Sequence, residues 1–248
     1  MHSRWPSGWA GHWACCGWRR AIHPKRRRVD AGLVTLGGCL LGARFIYVLL
    51  HWHYFSSHRL ETIQFWRGGL SLAGAIVGGV AALLVIAGLR QVSPLKLADA
   101  LAPMIPPLAV SAWLGCWQTG CAYGALTPYG AWWGVPTGDE SGLVALRFPL
   151  QLVGAFSLLA YFWWLEKIVS LRRDSGQMGS LAGVGLSLNL LLTSPLRADP
   201  APDWYGLRLD DWAAAVLCII SLASAITAFL SQRLRKGASE GAEPPTDL

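Results

Sequence analysis

The chain has 248 residues, of which 53% are hydrophobic and only 14% charged, against about 25% charged in an ordinary soluble domain. Its formal net charge is +7 and its mean hydropathy is +0.38. A chain this apolar cannot cover its side chains with one polar shell, and disorder requires low hydrophobicity, so the class left is an all-α polytopic membrane protein.

Residues 1–30 form a basic, Trp-rich segment. Trp5, Trp9 and Trp13 recur every fourth position, and Lys25, Arg26, Arg27 and Arg28 follow. No apolar stretch here is long enough for a secretory signal. Two readings stay open. One is an interfacial helix with its cations on anionic lipid. The other, preferred, is a mis-set start or a degenerate first span.

A spanning helix needs about 20 apolar residues. Runs at 31–51, 70–89, 98–116, 148–166, 179–195 and 211–231 predict six spans in a membrane domain over 31–232, followed by a polar tail at 233–248. The third run carries Pro103, Pro106 and Pro107. Such a span persists only where neighbours or a cavity satisfy the freed backbone groups, which places it inside the bundle. With the N-terminus in the cytoplasm, fifteen of the 21 Lys and Arg fall on inside segments and five on outside loops, with Arg44 inside the first span. That asymmetry explains the positive charge as topology, with no nucleic acid required. The outside loops, 52–69, 117–147 and 196–210, are rich in Trp, Tyr, Gly and Pro, which points to an outward working face.

Arg44 is a functional candidate because a charge within a span is costly; a helix-end arginine reaching for the interface is weighted equally. Arg147, beside Phe148 and Pro149 at a span entrance, suits a lipid phosphate, with interfacial anchoring as its competitor. Tyr47 and Gln151 can hydrogen-bond within the bundle, where packing between helices is the preferred reading. Tyr123 joins them as a lipid-binding candidate. Cys116 and Cys121 are five apart, about 140° on a straight helix. They converge only if the helix ends near Gly120, so inert packing is preferred over a disulfide. Two thiols do not complete a metal site. His51, His53 and His58 read as an interfacial belt with Trp52 and Tyr54 rather than as metal ligands. No metal or cofactor is expected.

Residues 41–79, LGARFIYVLLHWHYFSSHRLETIQFWRGGLSLAGAIVGG, resemble the bacterial prolipoprotein diacylglyceryl transferase family, with its G-A/G-R-x-G-Y-V-L span end and its E-G-G-M/L-S-F-H-G-G helix start. Residues 95–124, LKLADALAPMIPPLAVSAWLGCWQTGCAYG, are similar to its L-A-D-x-L-A-P segment and G-R-I-G-N-F-x-N-G-E-L-Y-G signature. Trp133-Gly134-Val135, Arg147 through Leu152, Leu196 through Pro200 and Gly206-Leu207-Arg208 continue the likeness in family order. Family members carry one more span at the N-terminus.

The resemblance implies an inner-membrane protein that moves a diacylglyceryl group from phosphatidylglycerol to the lipobox cysteine thiol of a secreted lipoprotein precursor. The departures fall on the chemistry. The family histidine falls on Ala73, the signature arginine on Trp113, the asparagine on Cys116, the acid on Cys121 and the arginine of the next-to-last span on Leu190. A thiol acceptor needs a base or a nearby cation, and a phosphate leaving group needs a guanidinium or its equal. The expectation is therefore a divergent member whose family reaction is weak or lost. Its rivals are an inactive phospholipid- or partner-binding protein and, further behind, a thiol-based redox or metal protein.

Overall fold

A computed structural model describes residues 24–128, 130–169 and 176–240. The expected features of residues 1–23 lie outside this set. The chain is helical from Pro24, and α1 (Pro24–Leu50) is followed by the short α2 (Trp52–Phe55). After a loop with two 3-10 turns comes α3 (Leu72–Arg90). Ser71 caps α3, accepting a hydrogen bond from the Gly74 N–H, which satisfies one of the donors that a helix start leaves free.

The proline-rich run is broken into α4 (Pro94–Leu101), a 3-10 turn over Ala102–Met104 and α5 (Ile105–Thr119). Each proline stands in the first turn of its helical piece, where N–H groups have no intrahelical partner to lose. A hairpin of β1 (Val135–Gly138) and β2 (Val144–Arg147) leads into α6 (Leu150–Val169). Its strands pair antiparallel, Val135 opposite Arg147 and Gly138 opposite Val144. Then come α7 (Gln177–Thr193), a two-residue-strand hairpin of β3 (Asp203–Trp204) and β4 (Leu207–Arg208), and α8 (Leu209–Glu240).

Among the described residues, five helical segments are long and apolar enough to cross a membrane: Val29–Leu50, Leu72–Arg90, Pro94–Thr119, Gln177–Leu196 and Leu209–Leu234. The chain is a polytopic helical membrane protein. The remaining expected span, 148–166, corresponds to α6. It is 20 residues long and carries Gln151 near its start and Glu166 and Lys167 near its end. It packs against both α5 and α7.

Two kinds of seam hold the bundle. Between α1 and α3 the backbones nearly touch. A Cβ placed on Gly42 would strike the Gly74 carbonyl, and one on Gly78 would strike the Gly38 carbonyl. Without a hydrophobic drive between helices in lipid, such close approach supplies dispersion contact. Between α5, α6 and α7 the seam is filled instead by large side chains, with Trp113, Leu158, Phe162 and Leu165 buried against Ala155 and Ala182. Leu41 and Phe45 of α1 and Ile219 of α8 point outward, as lipid-facing residues do.

Candidate functional site

The segments that join α2 to α3, α5 to α6 and α7 to α8 meet at one end of the bundle, where two groups of polar residues form.

The first group surrounds Arg44. Its guanidinium donates to the carbonyls of Thr62 at 2.9 Å, Gly68 at 2.8 Å and Gly69 at 3.0 Å, and to that of Glu61. These bonds occupy four of its five N–H donors. All four acceptors are neutral carbonyls, so they hold the loop without cancelling the charge. Two successive glycines make the geometry possible. Gly68 and Gly69 have φ of 86° and 73°, and a Cβ on Gly69 would collide with the Tyr47 ring and the Arg44 guanidinium. The guanidinium also lies 5.1 Å from the Phe55 ring centroid and 5.8 Å from that of Tyr47. A cavity of about 410 Å³ opens here, lined by Arg44, Tyr47, His51, Tyr54 and Glu61 among others. The Tyr54 hydroxyl donates to Glu61 at 2.8 Å. His51 and His58 bond to the carbonyls of Tyr47 and Tyr54 and stack on the same tyrosine rings.

The second group brings Tyr123, Arg147 and Gln151 together. It begins with a turn that corrects the cysteine expectation. Cys116 and Cys121 form a disulfide, with Cα atoms 4.6 Å apart. The straight-helix separation does not apply because α5 stops at Thr119 and Gly120 turns left-handed, with φ 72°. That folds Cys121 back over Cys116, whose carbonyl accepts the Cys121 N–H at 3.0 Å. Ala122 is also left-handed, with φ 50°, a conformation that costs a residue with a Cβ on the order of 1–2 kcal/mol.

Past this turn, the Tyr123 ring lies 4.3 Å from the Arg147 guanidinium carbon. Burial pushes the Tyr123 phenol up; Glu140, Asp139 and Asp199 add to this, and Arg147 opposes it. Arg147 is 7% exposed and pairs with Asp139 at 3.1 Å. Asp139 is held below the usual carboxylate range, first by the Ser141 hydroxyl, and also by the backbone N–H groups of Leu143 and Ser141 and by Arg147, with burial opposing. Gln151 is fully buried, and its amide donates to the Cys121 carbonyl at 3.0 Å. Arg147 Nε and Gln151 Oε1 are buried with no hydrogen-bond partner.

Beside this lies a charged network that sequence reading did not assign a role. Arg197 grips Asp199 with two hydrogen bonds, at 2.9 and 2.6 Å, and Arg208 reaches the same carboxylate at 3.0 Å. Arg197 also faces Asp210 at 3.6 Å, and Asp210 accepts the backbone N–H of Ala73 at 3.2 Å. Burial raises the Asp199 carboxyl, but the bonds from Arg197 and the charges of both arginines more than offset it, so it titrates below the usual range. Burial lowers Arg197 while Asp199 outweighs it, with a net upward shift. The Ala198 N–H on the Tyr123 carbonyl, at 2.8 Å, ties this network to the second group. The available signal was the Arg197-Ala198-Asp199-Pro200 motif and the acidic pair Asp210-Asp211 at the start of α8.

Deeper in the bundle, Trp113 is 7% exposed and its indole N–H donates to Asn189 Oδ1 at 3.3 Å. Asn189 in turn donates to Ser157 Oγ at 2.7 Å and the Gly154 carbonyl at 3.1 Å. The ring packs where a Cβ on Gly154 would sit. Leu190 is half-buried on α7.

The model of the prolipoprotein diacylglyceryl transferase family matches residues 10–228. The chain belongs to this family. Among similar proteins, the phosphatidylglycerol–prolipoprotein diacylglyceryl transferase of Thermosynechococcus vestitus is 25% identical over 78% of each chain. That of Bordetella avium is 32% identical over 60% of this chain and 56% of its own. That of Geobacillus kaustophilus is 43% identical over a shorter stretch, 35% of this chain and 32% of its own. The alignments to the Geobacillus kaustophilus and Acaryochloris marina proteins span about a third of those relatives.

Among the five positions singled out by resemblance to the family, Ala73 contributes a backbone N–H to Asp210. Trp113 fills the core of the transferase-family bundle, Cys116 and Cys121 are bonded to each other, and Leu190 is aliphatic.

Proposed function

We propose that this chain is an inner-membrane, phospholipid-binding member of the transferase family in which diacylglyceryl transfer is weak or lost. The family reaction forms a C–S bond from the lipobox thiolate to the glyceryl carbon of phosphatidylglycerol. It breaks the C–O bond to phosphate, and glycerol phosphate leaves. The thiol proton needs a base and the departing oxyanion needs a cation.

The observation that carries the reading is the Cys116–Cys121 disulfide. It closes two of the expected polar positions into a group that neither accepts a proton nor carries charge. Trp113, packed in the core with its N–H on Asn189, supplies no cation either. The nearby guanidinium groups have other partners: Arg147 pairs with Asp139, and Arg197 and Arg208 share Asp199. Arg44 keeps its charge beside the cavity that Tyr47 also lines, which favours it as the contact for a lipid phosphate. Tyr123, Arg147 and Gln151 form a second contact region. The loop-rich end faces outward in this reading, supported by the fifteen-to-five division of cations. Phosphatidylglycerol is the lipid and secreted precursors are the partners that the relatives' names suggest. No cofactor or nucleic acid is invoked.

Purified full-length protein, supplied with labelled phosphatidylglycerol and a lipobox peptide, tests this. Retained lipid without release of glycerol phosphate is the expected result. Turnover that disappears in Arg44→Ala or Arg147→Ala would overturn the inactive reading and show a relocated site.

A further inference from the structure

The hairpin of β3 and β4 stands just before α8, and its tip is aromatic. Tyr205 and Gly206 make its two-residue turn, with φ of 53° and 76°, the doubly left-handed turn that suits the twist of paired strands. Tyr205 is 85% exposed and Trp204 59%, and Leu207 is exposed beside them. The Trp204 ring centroid lies 5.3 Å from that of Tyr205 and 6.0 Å from that of Trp212. The Trp212 indole N–H donates to the Trp204 carbonyl at 3.1 Å, so its one donor needs no water. The base of the hairpin is fixed. The Leu209 N–H donates to the Pro202 carbonyl at 3.0 Å, and Arg208 bonds to Asp199 through both its carbonyl and its carboxylate. A clamped hairpin therefore holds out rings that folding leaves uncovered.

What covers them follows from α8. Trp212, Val216 and Ile219 are spaced by four and three residues, so they share one helix face, and all three are exposed. Leu209–Leu234 is long and apolar enough to cross a membrane, so the face that Val216 and Ile219 present is turned to lipid. Trp212 ends that stripe, and Trp204 packs on Trp212. The aromatic cluster continues a lipid-facing surface at the level where the span begins.

We propose that the hairpin tip is seated in the headgroup layer of the leaflet at the loop-rich end, with Trp204, Tyr205 and Leu207 entering it beside α8. Indole and phenol rings favour that boundary because each has an apolar body and a polar edge. Charge does not drive the contact. Asp203 is exposed on the hairpin, Asp211 lies in the first turn of α8, and Arg208 is already engaged by Asp199. The partner is the lipid surface itself, whatever its headgroup charge. The contact is separate from the phospholipid contact at Arg44 and does not depend on it.

A spin label tests this. A nitroxide is attached at Tyr205→Cys in full-length protein carrying Cys15→Ala, Cys16→Ala, Cys39→Ala and Cys218→Ala. The protein is reconstituted in phosphatidylcholine vesicles with and without phosphatidylglycerol. Oxygen, which concentrates in lipid, should relax the label several-fold more strongly than a water-soluble nickel chelate in both vesicle types. The response should approach that of a label at Ile219→Cys on the lipid-facing stripe. Trp204→Ser should raise nickel access to the label at Tyr205→Cys several-fold. A label at Leu207→Cys serves if the first variant does not fold. Nickel access equal to that of free label in buffer would put the tip in water and overturn the proposal. Dipolar broadening that disappears on dilution with unlabelled protein would show a second copy on the tip and overturn it. A lipid-like response confined to vesicles with phosphatidylglycerol would show recruitment by charge and overturn it as well.

Discussion

Arg44 and Arg197 solve the same physical problem in opposite ways. Each is a guanidinium at the loop-rich end of a membrane bundle. Arg44 is held by four backbone carbonyls of the 61–69 loop, while Arg197 grips Asp199, which Arg208 shares. Carbonyl dipoles satisfy the donors and leave the charge in place, whereas carboxylates satisfy the donors and cancel it. In the proposed function, the first arrangement is the one that offers its cation to an anionic headgroup. The second is a strut joining the segment after α7 to the start of α8, and through Asp210 to α3.

Removing the shared carboxylate is the hardest test of that contrast. Asp199→Ala would leave two largely buried guanidinium groups facing each other, with an expected loss of about 3–5 kcal/mol. Thermal unfolding in detergent measures it, and a loss below 1 kcal/mol would show that the network is not a strut. The pH dependence gives a second check. The folded Asp199 carboxyl titrates below its ordinary value. Its contribution is therefore complete above about pH 4 and disappears as pH falls through the depressed value. Asp199→Asn should flatten this acid limb.

Arg44→Ala should cost less, about 2–3 kcal/mol, because the freed carbonyls lie partly open to water. It should speed proteolysis within the 61–69 loop and weaken binding of phosphatidylglycerol vesicles. Unchanged lipid binding in a folded Arg44→Ala protein would remove the distinction drawn between the two arginines. Reducing the Cys116–Cys121 disulfide, or making Cys116→Ser, should cost about 2 kcal/mol, since a short closed loop carries little chain entropy. A melting temperature insensitive to reductant would contradict a restraining role. The smallest effect is expected for Trp113→Phe. It keeps the packing but strands Asn189 Oδ1, for about 1 kcal/mol by the same melting measurement.

The resemblance to the family was legible because its motifs are runs of neighbouring residues. The roles of individual residues were less so. Arg44 and Arg147 drew attention as isolated charges near spans, but their partners lie on other segments. Trp113 was read as a missing arginine, and nothing in its neighbourhood along the chain points to Asn189, 76 residues away. The Arg197 network was passed over because its motif was read for likeness and not for charge pairing. The cysteine expectation turned on Gly120: a helix end there was the stated condition for a disulfide, inert packing was preferred, and the left-handed turn meets the condition.

Composition and apolar runs by themselves determined the membrane class, the helical architecture and the break at Pro103, Pro106 and Pro107. Each is a local property: a span is recognised by the length and polarity of one segment, and a proline acts on its own turn. Tertiary structure alone decided which polar groups meet. The Ala73 N–H finds Asp210 across 137 residues, Arg44 finds the carbonyls 17 to 25 residues ahead, and Gln151 finds the Cys121 carbonyl 30 residues back. A buried donor must be satisfied by whatever the fold brings within about 3 Å, and that distance has no counterpart in the order of residues along the chain.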